Sequence, residues 1–542
     1  MKTFCQYLDT NRIIRELARF RADEAVKRHP AQRLSAISPL APDPLTVVAP
    51  VFTSIFPPRR QWYRLPRKER LQTPRQHLLR RELTRTVFSD IRDNPQSQSP
   101  WRLALIAMVE SIQTQAASHC PAIDPPERFT IHKDNGKPRT IHAFRDPAQR
   151  TLLTLLHRYL SDRIDPGFSA ASYAFRKNPD HGRTKAIRQL LDYRQVHAAC
   201  GLFVAECDLR DFFDHIPHLA IRRALAPYAF DPQALRLVDA YLEAGAAVQD
   251  HGIPQGGALS PLLANLVLTS VDEAVTAMAA PQSVYYARFC DDILIAHPQE
   301  SICRQTLDTC LDTIARLGLP FHAPTAVSTY GPDFYTMKSK LPYRWADPAT
   351  GGTATPWVSF LGYQLKYDGC TRIRKTSISK QAIKQHQTIE RVRLLVQNTP
   401  PEALRATGTQ ILDRTTEQLV AMSVGRIRNR VADTPQPCWA DAFPLLNANP
   451  SAIHQCKTLD RSRERQIRRL KRTLIEKGCL DAEDTASQRQ KANIESLAAL
   501  FDMDPANLPR LARHNPLYRG APFSYYAALN RESTLPYTGY SL

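Results

Sequence analysis

At 542 residues the chain has room for about two to four domains, and its 43% apolar and 23% charged residues are enough to bury an ordinary core. Lys and Arg outnumber Asp and Glu by 72 to 52, leaving a net charge of +20 that favours a polyanionic partner such as nucleic acid. No membrane partner is expected: no window approaches the roughly 18 continuous apolar residues of a spanning helix, and Arg12, Arg15, Arg19 and Arg21 interrupt the N-terminus before a secretory signal can form, so the cytoplasm is the expected location.

The first 120 residues read as helical and basic. Ile13, Ile14, Leu17 and Phe20 recur at helical spacing, a Pro-rich stretch at 39–58 breaks regular structure, and helices are expected again at 67–88 and 101–112. From about residue 121 the texture changes to short β-branched or aromatic runs between helices. Residues 129–132 and 139–142 flank Asp134, Asn135 and Gly136, and Asn-Gly between two such runs signals a hairpin. A helix is expected at 152–164, and a short buried strand at 202–207 that delivers Asp208.

Gly252, Ile253, Pro254, Gln255, Gly256 and Gly257 form a turn before an apolar helix at 259–278. The glycines permit close approach of the backbone to a ligand, and the Gln255 amide can hydrogen-bond a base or sugar. Strand-forming runs at 285–289 and 293–296 then enclose the acidic pair Asp291 and Asp292. A helix at 301–317 stops at Gly318, two or three short strands follow at 357–375, and further helices are expected at 381–396, 401–431 and 461–477. The last of these carries Arg463, Arg465, Arg468, Arg469, Lys471 and Arg472, suited either to a phosphate backbone or to solvent. Eleven cysteines without a CxxC pair or zinc-like spacing read as reduced thiols.

An acidic pair set between apolar strands is costly without a purpose. A hairpin that brings Asp291 and Asp292 beside Asp208 would cluster carboxylates that repel one another unless divalent cations join them. Such a cluster suits phosphoryl transfer, in which two Mg²⁺ ions activate an attacking hydroxyl and stabilise a leaving oxygen.

These segments resemble, in order and spacing, the palm motifs of reverse transcriptases. Asp208 to Phe213 resembles the first motif, Gly252 to Asn265 the second and Phe289 to Asp292 the third. Residues 360–365 are similar to the primer-grip hairpin, and 136–150 and 171–178 to the fingers segments of the bacterial enzymes. The resemblance covers about residues 125–375 and implies an α+β right-hand polymerase of fingers, palm and thumb with helical extensions. The implied division is a helical N-terminal extension at 1–120, fingers and palm at 121–375, a helical thumb at 376–435 and a basic helical C-terminal region with an aromatic tail at 436–542.

The implied activity is RNA-directed DNA synthesis. Asp208 and Asp291 would hold two Mg²⁺ ions, or Mn²⁺, with Asp292 assisting and the Leu209 carbonyl completing the shell. Lys137, Arg139, Phe213, Gln255 and Gly256 would form the dNTP site, Lys137 and Arg139 gripping the triphosphate and the Phe213 ring excluding a ribose 2′-hydroxyl. Phe360, Leu361, Gly362 and Tyr363 would form the primer grip.

The chain departs from the pattern in two places. Phe289 and Cys290 replace the commoner Tyr-Ala, and no Lys follows Leu317, Gly318 and Leu319, leaving His322, Lys338 and Lys340 as alternatives for protonating pyrophosphate. No RNase H cluster, Cys-rich endonuclease tail or retron Val-Thr-Gly signature is found. The resemblance is therefore to the unknown-group, defence-associated bacterial enzymes, the type that pairs two polymerases with a noncoding RNA among them. It implies an RNA template, dNTPs, a DNA product, an antiphage role, an oligomer and a second reverse transcriptase as partner. Tyr525, Tyr526, Tyr537 and Tyr540, beside Tyr518, offer hydroxyls for protein priming, although such a terminal aromatic cluster more often docks the tail onto the body. Template-independent synthesis and a catalytically silent RNA-binding scaffold are the rival readings.

Overall fold

The computed structural model describes residues 2–481, apart from 67, 68, 71, 72, 74, 133–135, 137, 179, 180, 247, 328, 351, 352, 425, 429, 430, 434–442, 447 and 448, together with Phe523, Ser524 and Ala527. Two compact units emerge that are not consecutive in sequence: residues 1–17 with 97–369, and residues 18–96 with 370–542.

The first unit holds a mixed helix and sheet fold. A hairpin of β1 (Glu127–His132) and β2 (Pro138–Ala143) pairs Glu127 with Ala143 through His132 with Pro138. A four-stranded sheet follows, in the order β4 (Tyr285–Phe289), β5 (Asp292–His297), β3 (Leu202–Asp208), β6 (Lys340–Trp345). All three neighbouring pairs are antiparallel. The expected strands at 202–207, 285–289 and 293–296 are present; β6 was not anticipated from the sequence. A short hairpin of β7 (Trp357–Phe360) and β8 (Tyr363–Lys366) completes the strands of this unit.

Local chemistry explains where its helices begin. Asp146 accepts the Gln149 main-chain N–H at 2.6 Å, and Pro147 takes the first helical position of Pro147–Ile164. Asp231 caps Pro232–Gly245 in the same way. The helix expected at 259–278 is two helices, Ser260–Val267 and Thr269–Ala279, broken at Leu268. The stretch Ser260–Gln282 is long and apolar enough to cross a membrane, against the expectation that no such stretch exists, and most of it is buried inside the protein. Burial explains its composition.

In the second unit, helices Lys375–Asn398, Gly408–Val424 and Pro450–Glu476 surround a core that includes Ile37, Ile389, Val392, Ile411, Leu419, Leu470 and Leu474. The long helix expected at 401–431 is shorter, because a single turn at Pro401–Ala403 is separated from Gly408–Val424, and a small strand pair, Arg426–Arg428 with Val431–Asp433, follows.

The four-stranded sheet is pinned by an ion pair. Arg288 on β4 and Asp272 on Thr269–Ala279 are both fully buried, with Arg288 Nη2 2.5 Å from Asp272 Oδ2. Arg288 also donates to Asn265 Oδ1 at 3.0 Å, Ser172 Oγ at 2.9 Å and the Cys290 carbonyl at 3.2 Å. The Tyr286 hydroxyl donates to Asp272 Oδ1 at 2.7 Å, and Asn265 Nδ2 to the Ala174 carbonyl at 2.7 Å. Removing one member leaves a buried charge uncompensated, so Asp272→Ala should cost about 3–5 kcal/mol. Thermal unfolding would register this as a large drop in midpoint, and the double change Asp272→Leu with Arg288→Met should recover much of it.

Candidate active site

β3 ends at Asp208, and the register sets Asp208 directly opposite Asp292, the first residue of β5. Opposed residues in an antiparallel pair have Cα atoms about 4.5–5.5 Å apart. Cys290 takes a left-handed conformation at φ +62°, which turns the chain between β4 and β5 and places Asp291 at the tip. The contact from Arg288 to the Cys290 carbonyl holds that turn from beneath. Asp208, Asp291 and Asp292 therefore share one end of the sheet.

Asp208 is tightly held. Its N–H donates to Ser339 Oγ at 3.0 Å, and its carbonyl accepts the His322 N–H at 3.0 Å. Its carboxylate lies 2.8 Å from Lys338 Nζ and 3.8 Å from His322 Nε2. Leu209 forms a bridge with Phe321, and the Arg210 N–H donates to the Pro320 carbonyl. The Leu209 carbonyl takes no part in these bonds.

The electrostatics show the strain of bringing three acids together. Burial, followed by repulsion from Asp208, raises the Asp291 carboxyl above its usual range, while Lys338 opposes the shift. Burial and repulsion from Asp291 and Asp208 push Asp292 up to about 7. The Asp292 surface is open to solvent, so repulsion is the cause that carries most weight there. Burial pushes the Cys290 thiol up as well, keeping it neutral and no ligand for a cation.

The donor set of carboxylate oxygens suits Mg²⁺ or Mn²⁺. As the side chains stand, no three such groups among the described residues converge on one point. The cation that faces Asp208 is the Lys338 ammonium, which stands where positive charge is needed.

A second set of expected residues also comes together. Arg139 Nε donates to Gln255 Oε1 at 2.7 Å, and Gln255 Nε2 donates to Asp214 Oδ1 at 3.2 Å. The His142 N–H donates to the Gln255 carbonyl at 2.7 Å, and the Ile253 N–H to the Phe213 carbonyl at 2.8 Å. The β1–β2 hairpin is thereby joined to the Gly252–Gly257 turn and to the residues after β3. Gly256 has φ +105°, and a Cβ there would meet the His142 carbonyl oxygen at 2.9 Å, so this position requires glycine.

Phe360 pairs with Tyr363 around Leu361 at φ +48° and Gly362 at φ +88°, a two-residue hairpin turn with both central residues left-handed. This hairpin is tied towards β6 by Trp345 Nε1 donating to the Pro356 carbonyl at 3.1 Å. Lys137, Tyr518, Tyr525, Tyr526, Tyr537 and Tyr540 lie outside the described residues.

One participant escaped the sequence reading: Asp214 was passed over beside Asp208. The pairing of Lys338 with Asp208 and Lys340 with Glu206 was visible only as matching i, i+2 spacings in two distant segments.

A carboxyl that keeps its proton to about 7 in the folded chain, and only to about 4 when unfolded, makes the native state the better proton binder between those values. Stability contributed by Asp292 therefore falls as pH rises through that window. In a buffer holding EDTA, the thermal midpoint of Asp292→Asn relative to wild type should climb from about pH 4 to about pH 7; a difference that stays flat contradicts the assigned repulsion.

Residues 131–365 match the family model described as "Reverse transcriptase (RNA-dependent DNA polymerase)". Protein YkfC of Escherichia coli is 32% identical over 162 residues, covering 28% of this chain and 40% of that protein. The retron Ec73 reverse transcriptase of Escherichia coli is 26% identical over 212 residues, covering 36% and 61%. The group II intron-encoded protein LtrA of Lactococcus lactis is 30% identical over 160 residues, covering 28% and 25%. Each alignment spans less than two thirds of these relatives' length. A solved structure, the telomerase of Candida albicans in complex with a fragment of telomeric RNA, overlays with a TM-score of 0.35 at 9% identity, covering 80% of this chain and 77% of that one. The sheet that carries Asp208, Asp291 and Asp292 is the palm of a right-hand polymerase fold, and residues 131–365 form a reverse-transcriptase domain with bacterial relatives.

Proposed function

We propose that this chain is an RNA-directed DNA polymerase whose palm carboxylates, Asp208, Asp291 and Asp292, hold two divalent cations. The observation that carries the reading is the register that opposes Asp208 to Asp292 with Asp291 at the adjacent turn. Asp208 and Asp291 are the ligands, assisted by Asp292 and by the Leu209 carbonyl. Mg²⁺ bound there supplies Lewis acidity to the primer 3′-hydroxyl and to the leaving pyrophosphate.

The remaining roles belong to the chain's own groups. Gln255, oriented by Arg139 and Asp214, presents its amide to the nascent pair. Gly256 lets the backbone approach the nucleotide closely. Phe213 is half-buried after β3, its ring edge-on to Phe212, and limits space at the sugar 2′ position. Arg139 and Lys137 grip the triphosphate, and the Phe360–Tyr363 hairpin steadies the primer end. Lys340 is buried against Glu206, which leaves Lys338 and His322 as the cations able to serve the departing pyrophosphate.

The partners follow from this reading and from the surplus of 20 positive charges: an RNA template, dNTPs and a DNA product. The helical regions on either side of the matched domain support placement among defence-associated bacterial reverse transcriptases. A noncoding RNA as template and a second polymerase as partner belong to the same reading. A silent RNA-binding scaffold is disfavoured, since it would have no use for three mutually repelling acids.

Replacing Asp208 or Asp291 with Ala should reduce dNTP incorporation on an RNA template by about a thousandfold or more, the rate equivalent of several kcal/mol of lost charge stabilisation. Equal incorporation by wild type and variant would reject the enzyme reading in favour of the scaffold. Phe213→Ala should improve the use of ribonucleotides relative to deoxynucleotides by about tenfold or more, measured as a ratio of kcat/KM values.

A further inference from the structure

β6 runs antiparallel to β3 and sets lysines against its acids. Glu206 faces Lys340 in the register, with Lys340 Nζ 2.6 Å from Glu206 Oε2. Two residues along, Lys338 Nζ lies 2.8 Å from Asp208 Oδ2. Between them the Asp208 N–H donates to Ser339 Oγ. Glu206 and Asp208 thus each meet a lysine, Lys340 at the start of β6 and Lys338 in the bend that precedes it.

The two pairs differ in what surrounds them. The Lys340 side chain is 3% exposed, and Glu206 also accepts the Tyr343 hydroxyl at 2.6 Å. Breaking this pair would strand a buried carboxylate. The Lys338 side chain is 64% exposed, although the carboxylate it meets is only 8% exposed. An ammonium on a long flexible stem can return to water at little cost, because exposed ion pairs contribute little. The neighbouring acids, Asp291 and Asp292, have no lysine of their own among the contacts found and feel Lys338 at a distance.

Resting on the proposed polymerase reading, the geometry points to Lys338 as a displaceable internal counter-ion: its ammonium neutralises Asp208 until a divalent cation takes that place, while Lys340 stays on Glu206 and keeps this fourth carboxylate out of the metal shell. The arrangement lets the acidic end of the palm fold before any metal arrives, and it makes Asp208 the ligand that the cation must win. His322, 3.8 Å from the same carboxylate, is the other basic group facing it and is too distant to replace the ammonium.

The test is Mn²⁺ binding to the full chain without nucleotide, followed by loss of the free-ion signal in electron paramagnetic resonance. Lys338→Met should bind Mn²⁺ about fivefold more tightly than wild type, the ratio set by removal of a competing exposed ion pair. Lys338→Arg, which keeps the charge, should bind like wild type. Lys338→Gln gives a second neutral variant and should match Lys338→Met. If both neutral variants bind Mn²⁺ no more tightly than wild type, while Asp291→Asn weakens binding in all of them, the counter-ion role is wrong and the polymerase reading stands. If no variant and no wild-type protein binds Mn²⁺, the metal-site reading falls and takes this inference with it.

Discussion

Two like charges on facing strands repel, and the palm of this protein is organised around that repulsion. The β3–β5 register leaves no freedom: once Val204 pairs with Ala296 and Cys207 with Ile293, Asp208 must oppose Asp292. A slip of one residue would exchange the two buried faces of β5 and disrupt its packing on both sides. The core that fixes the register, Val204, Ala205, Ile293, Leu294 and Ile295, is buried throughout. Hydrophobic packing thus forces the acids together, and the cations nearby make the result tolerable.

The same end of the sheet is supported from two other directions. Beneath the turn, the Arg288–Asp272 pair joins β4 to Thr269–Ala279, the second of the two apolar helices after the Gly252–Gly257 turn. In front of it, the main-chain bond from His142 to Gln255 joins the β1–β2 hairpin to that turn. Segments separated by more than a hundred residues are fixed against one another by a few buried polar contacts. Side chains that must meet a nucleotide are held on rigid elements in this way, rather than on independent loops.

Much of this was legible in the sequence, for definite reasons. The strands at 202–207, 285–289 and 293–296 are short apolar runs ending in acids, and such runs have few alternatives to a buried sheet. The Asn-Gly hairpin signal identified β1 and β2 although Asn135 lies outside the described residues. β6 was missed because Pro342, Arg344 and the buried Lys340 disguise a strand whose other buried residues are Tyr343 and Trp345. The break at Leu268 left no mark in composition, since both flanking helices are apolar. The compact units escaped notice because Ile37 joins a core built mainly from residues after 385, and such long-range packing has no local signature. Lys338 was recognisable as one of three spare cations, but only the fold shows which carboxylate it meets.

The central claim is that Asp208 and Asp291 are ligands to a pair of catalytic ions. Anomalous X-ray scattering from crystals grown with Mn²⁺, an RNA–DNA duplex and a non-hydrolysable dNTP addresses it directly. The account predicts two peaks at the shared end of β3 and the β4–β5 turn, with the Lys338 ammonium no longer on Asp208. Peaks elsewhere, or a bound duplex and nucleotide with the Lys338–Asp208 pair intact and no ion between the two strands, would contradict it.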